Sequence, residues 1–161
     1  MTKLDEMKEF LNMYQEFWWK LSDYDGETQD EECPLLYGDI ALEKMDKKES
    51  GLCDFSNENI TYDIFFTGDS THFPGIWIGN NDLEKLDEYP VYIFYMEEET
   101  DSMKVIGNFR TYIEKLLDWY SGKYDAGDLK IVEIIRAHLK NFSTNLIDRG
   151  PCTILQDGWN V

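Results

Sequence analysis

The stretch Tyr89–Tyr120, YPVYIFYMEEETDSMKVIGNFRTYIEKLLDWY, decides the fold. Pro90–Met96 is rich in β-branched and aromatic residues, and both alternating sets are apolar: Val91, Ile93 and Tyr95 on one side, Tyr92, Phe94 and Met96 on the other. That pattern predicts a strand buried on both faces, near the middle of a sheet. Pro90 has no amide hydrogen to give a ladder, so it belongs at the strand's first position. The polar run Glu97–Ser102 reads as a turn and Met103–Ile106 as a second strand, the two strands pairing as a hairpin. Gly107 and Asn108 end the hairpin and open a helix. Asn108 suits the N-cap, because its side-chain oxygen can accept from a free amide of the first turn. Phe109, Tyr112, Ile113, Leu116, Leu117 and Tyr120 then recur at helical spacing on one face, with Arg110, Glu114, Lys115 and Asp118 on the other.

Upstream of this unit, Ile60–Thr67 places Ile60, Tyr62, Ile64 and Phe66 on one face of a strand, and Phe73–Ile78 follows as the next, with Gly75 at a bulge. Asp82 opens one helical turn over LEKLDE. Strands this close in sequence pair antiparallel. The N-terminus begins with a cap at Thr2, with Asp5 and Glu6 near the positive end of the helix it opens. Leu4, Met7, Phe10, Leu11, Tyr14, Phe17, Trp18 and Leu21 make that helix amphipathic to about residue 21. Asp39 is read as the cap of a short helix over Ile40–Lys47, and Ser50–Glu58 as a turn. Asp128 is read as the cap of a last helix, Leu129–Leu139, with Ile131, Ile134, Ile135 and His138 or Leu139 inward. Gly150 and Pro151 break any helix beyond it, and Thr153–Leu155 reads as an edge strand. The expected architecture is α+β: a mainly antiparallel sheet with flanking helices on one side, in a single domain over residues 1–161.

The unit around Asn108 resembles the C-terminal half of the SUKH superfamily, which includes bacterial immunity proteins and a fungal cell-wall regulator. In that family a "PV" strand precedes a short second strand and a helix of the form S/N-F-x-x-[FY]-[LI]-x-x-L. Pro90 and Val91, then Asn108, Phe109, Tyr112, Ile113 and Leu116, match those positions. Phe73–Gly79 resembles the family's earlier glycine-punctuated strand. The match spans roughly residues 60–120. The resemblance implies a SUKH-like domain and a non-catalytic protein that neutralises a toxin domain, often a nuclease, by occlusion. The alternative it implies is a regulatory scaffold of the same fold.

Composition points the same way by a separate argument. The chain has 33 acidic against 15 basic residues and a formal charge of −18. Direct binding to nucleic acid needs clustered Lys and Arg, and so does an anionic membrane surface, so both are excluded as partners. A strongly acidic protein is instead steered to a basic partner, and a nuclease must keep a basic cleft for phosphates. The acidic loop Ser22–Glu32 and the hairpin turn after Met96 are the candidate partner contacts: Asp23, Asp25, Glu27, Asp30, Glu31 and Glu32 in the first, Glu97, Glu98, Glu99 and Asp101 in the second, with Trp19 as an aromatic anchor.

Ser22–Glu32 fails as a calcium loop. With Leu21 as position 1 the acidic spacing is partly right, but that position needs a carboxylate, and Pro34 interrupts the exit helix. Cys33, Cys53 and Cys152 are dispersed and odd in number, so free thiols are expected, with no disulfide framework and no zinc site. His72 lies beside Ser70 and Asp69, but adjacent turn residues do not converge as a triad, and a G-x-S-x-G elbow is absent. His138 reads as a packed or surface histidine. The expectation is therefore no enzyme, no cofactor and no metal. An N-terminus with acids where a signal peptide needs a basic start, and no apolar run of about 18 residues, point to a cytoplasmic protein.

Overall fold

The computed structural model describes residues 1–18, 41–46, 53–54, 62–67, 76–79, 83–95, 102–121, 126–148 and 153–154, with side chains over 1–18, 42, 83–91, 105–118 and 129–148. The elements in chain order are α1 (Lys3–Met13), β1 (Ala41–Asp46), β2 (Cys53–Asp54), β3 (Tyr62–Thr67), β4 (Ile76–Gly79), a 3₁₀ helix (Leu83–Glu88), β5 (Val91–Tyr95), β6 (Ser102–Gly107), α2 (Phe109–Ser121), α3 (Ala126–Leu139) and β7 (Thr153–Ile154).

α1 starts where a threonine can satisfy its free amides. Thr2 Oγ1 accepts from the Asp5 amide at 3.1 Å, and the Asp5 carboxylate accepts in return from the Thr2 amide at 3.2 Å, a reciprocal capping box. The helix does not run unbroken to residue 21, as its apolar stripe suggests. It stops at Tyr14 (φ −112°, ψ 29°), and helical backbone resumes over 15–18. At the break the Leu11 carbonyl accepts from the Tyr14 amide at 3.3 Å and from the Trp18 indole N–H at 2.9 Å. The interruption therefore leaves that buried polar group partnered.

Among the residues whose side chains are described, the interior is mostly helical. Leu4, Met7, Phe10 and Leu11 from α1, Phe109, Tyr112, Ile113, Leu116 and Leu117 from α2, and Val132, Ile135 and Leu139 from α3 are buried together with Trp18 and Phe142. Phe10 is the hub. Its ring meets Tyr14, Phe109, His138 and Phe142 edge-on at centroid distances of 5.5, 5.8, 5.0 and 5.3 Å, the geometry favoured by the positive ring edge and negative ring face.

This overturns the expected fold class of a mainly antiparallel sheet with flanking helices. Where side chains are described, the chain is 68% helical, with one short strand and no sheet. The physical reason lies in which apolar sets find partners: among the residues whose side chains are described, strands give Leu42, Val91 and Ile106 to the core and helical faces give most of the others. The described strands are all defined by backbone ladders. These run antiparallel in the order β1-β3-β4-β5-β6, with β2 and β7 paired separately.

Several local expectations also change. Residues 41–46 form a strand paired with β3, not a helix capped by Asp39, and Cys53–Asp54 lies in a strand where a turn is expected. α3 starts at Ala126, so Asp128 is inside it and cannot be its cap. Its buried line is Val132, Ile135 and Leu139. Ile134, expected inward, is 48% exposed.

The junction between β6 and α2 matches its reading closely. Gly107 has φ +113°, a conformation that L side chains rarely adopt, and a Cβ there would lie 2.9 Å from Thr111 Cγ2. Asn108 is 1% exposed. Its Oδ1 accepts from the Thr111 amide at 2.9 Å, capping α2, while its Nδ2 donates to the carbonyls of Ser143 and Asn145 at 2.9 and 2.6 Å. The irregular segment after α3 is tied further to the 3₁₀ helix. The Ser143 amide donates to Asp87 Oδ2 at 2.9 Å, and the Ile147 amide to the Glu88 carbonyl at 2.8 Å.

Candidate partner-binding site

α1 presents two faces. Its apolar face is consumed by the core, as the sequence predicts. On its outer face Asp5, Glu6 and Glu9 are exposed, as is Glu16 beyond the break, and Glu6, Glu9 and Met13 follow one another at i, i+3, i+7, so they form a single ridge. Met13 is 56% exposed, an apolar side chain that lies off the buried stripe.

Beside this ridge runs an open cleft of about 390 Å³, within the size range of small binding pockets. Its walls are Lys3, Glu6, Glu9, Phe10 and Met13 from α1, and His138, Asn141 and Phe142 from the end of α3 and the turn after it. The 3₁₀ helix supports one end through Asp87. This carboxylate is 3% exposed. It is compensated by the Ser143 amide and by the Lys3 ammonium at 3.8 Å, as a buried charge requires. Lys3 Nζ also lies 2.8 Å from Glu6 and 5.8 Å from the centroid of the Phe142 ring. The hydrogen bond to Glu6 raises the Lys3 pKa above its ordinary value, with a further upward pull from Asp87.

On the opposite wall His138 is fixed by its neighbours. Its Nδ1 is 3.1 Å from the Tyr14 hydroxyl, and its ring stands edge-on to Phe10 and Tyr14. Burial raises the Tyr14 pKa, so this hydroxyl keeps its proton across the neutral range and can donate to the imidazole. The histidine is thus a packed wall residue. Among the described residues no group of three or more His, Cys, Asp or Glu is placed to hold a metal ion.

The candidate contacts read from the sequence are not these. Trp19, Asp23, Asp25, Glu27, Asp30, Glu31, Glu32, Glu97, Glu98, Glu99 and Asp101 all lie outside the described residues, as do Ser70 and His72. The cleft was hidden in the sequence because its two walls are more than 120 residues apart, as the Tyr14–His138 bond shows. The available signal was Met13, an apolar residue in line with Glu6 and Glu9 instead of the core stripe.

No protein-family model matches the chain, and neither a curated protein nor a solved structure matches it. Among the described residues no helix is long and apolar enough to cross a membrane.

Proposed function

We propose that this protein is a non-catalytic binding protein that neutralises a basic partner domain by covering it, as its resemblance to SUKH immunity proteins implies. One observation carries the reading: a chain of formal charge −18 displays exposed acids on α1, Asp5, Glu6 and Glu9, with Glu16 beyond its end, beside an open cleft. A nuclease-type toxin domain must hold phosphates in a basic cleft. An acidic surface with an apolar contact at its centre is steered to such a cleft and can occupy it, which requires no bond to be made or broken. The protein would act in the cytoplasm, where such a toxin meets its substrate.

The test is to co-purify the chain with the products of the reading frames beside its gene, at low salt, and to assay any basic domain captured. The expected result is a domain that is lethal or nucleolytic alone and silent in the complex, with an association rate falling steeply between low and about 0.15 M salt. Failure of every neighbouring product to bind would overturn the toxin reading. A partner bound with little salt dependence would replace it with the regulatory scaffold.

A further inference from the structure

We infer that the α1–α3 cleft receives an arginine side chain presented by the basic partner. This rests on the functional reading above and names the point at which that partner is anchored. The argument is charge and shape complementarity. Glu6 and Glu9 stand one helical turn apart on the cleft's rim, and Glu9 makes no ion pair with a described residue. Arginine presents five N–H donors in a planar fork that stays charged at any working pH, so one guanidinium can engage carboxylates at this spacing. Met13 extends the same ridge and is more than half exposed. Its flexible thioether side chain offers a surface on which the three methylenes of an arginine stem can pack. Asn141, on the far wall, adds an amide oxygen that can accept.

A cation of the chain itself already borders the cleft. The Lys3 ammonium already sits at one end between Glu6 and the Phe142 ring. Lys3 offsets one of the two rim carboxylates and leaves the other as the principal determinant for a visitor. An anionic ligand would meet Glu6 and Glu9 with Lys3 alone in its favour, so the charge balance selects a cationic group.

The experiment uses the full chain, isotopically labelled, titrated with a blocked octapeptide holding one arginine among neutral residues, and with its citrulline counterpart. Saturable amide shifts at Glu9, Met13, His138 and Asn141 are expected with the arginine peptide, with binding about tenfold weaker for citrulline, the size of one charge-assisted hydrogen bond. Glu9→Gln should weaken the arginine peptide by about tenfold, whereas Glu133→Gln, the same charge change on an exposed part of α3 away from the cleft, should alter it less than about twofold. Equal loss in the two variants, or equal binding of arginine and citrulline, would overturn the inference in favour of diffuse charge attraction. Free arginine amide binding as tightly as the peptide would overturn the protein source of the side chain. The two readings fail separately. If a basic domain binds with strong salt dependence but is indifferent to Glu9→Gln and Met13→Ala, the cleft is not its anchor and the functional reading stands. If no basic domain binds, the functional reading itself falls.

Discussion

Asn108 serves three backbone groups with one side chain. Its oxygen caps α2, and its amide nitrogen closes two carbonyls of the segment after α3. Asn108→Ala removes all three bonds and should cost about 2–4 kcal/mol, a cap of about 1 plus two part-buried carbonyls left with poorer partners. Asn108→Ser restores the cap alone and should recover about 1 kcal/mol of that. Denaturant melts of the two variants check the split, and equal losses would mean that the cap contributes nothing. Gly107, one residue earlier, answers to backbone geometry. Gly107→Ala must adopt φ +113° and press its Cβ on Thr111, so a loss of about 1–3 kcal/mol is expected. Adding Thr111→Ala relieves the contact but not the dihedral, so the double variant should recover only part of the stability. Full recovery would show that the clash was the whole cost.

Among the elements, α3 gives the sharpest contrast between pattern and packing. Its periodicity points both Ile134 and Ile135 inward, because both lie within an apolar arc. In the folded chain Ile135 is fully buried and Ile134 is 48% exposed. Ile135→Ala should therefore cost about 2–5 kcal/mol and Ile134→Ala less than about 1 kcal/mol, read as shifts in the denaturation midpoint; the reverse ranking would refute the assigned phase. The same contrast explains what could be read beforehand. Thr2, Asn108 and the α2 face were legible because caps and helical spacing are local signals. β1 was not: ALEKMD contains good helix formers, and its strand pairing with β3 comes from residues about twenty positions away. The weight of helices in the core was missed for a related reason. Aromatic residues at strand spacing announce a sheet but do not say which apolar faces will close on one another. Of the candidate site, the acidic character was legible and the cleft was not.

For the whole molecule, charge is the dominant variable. Ion pairs such as Arg110–Glu114 and Arg136–Asp118 use a few of the acids, but a net charge of −18 remains self-repelling. The melting temperature should therefore rise as NaCl is added from low ionic strength to about 0.15 M. A falling temperature would mean that the paired charges outweigh the repulsion. The pH profile should be limited on both sides. Asp5 is held below its ordinary value by hydrogen bonds from the Thr2 side chain and amide. Its contribution is full above the unfolded carboxyl range, about pH 4, and is lost as pH falls through the lowered value. Lys3 and Tyr14 are raised, by the Glu6 hydrogen bond and by burial respectively. What they contribute is full below their ordinary values of 10.5 and 10.0 and is lost as pH climbs through the raised ones. The stability gap between the parent chain and Thr2→Ala should accordingly narrow in acid and stay constant from neutral pH to about 9; a gap that persists in acid would separate the cap from Asp5 ionisation.

The segment 142–148 also sets the order of events on the ribosome. Asn108 emerges 35 residues before the Ser143 carbonyl it will bind, roughly 2–7 s of synthesis at ordinary elongation rates. Through that interval the rings of Phe10 and Phe109 lack Phe142, and Asp87 lacks the Ser143 amide. Until that segment is made the nascent chain is an open shell, and the segment latches it shut. The core of this chain closes only after its own strap has been read out.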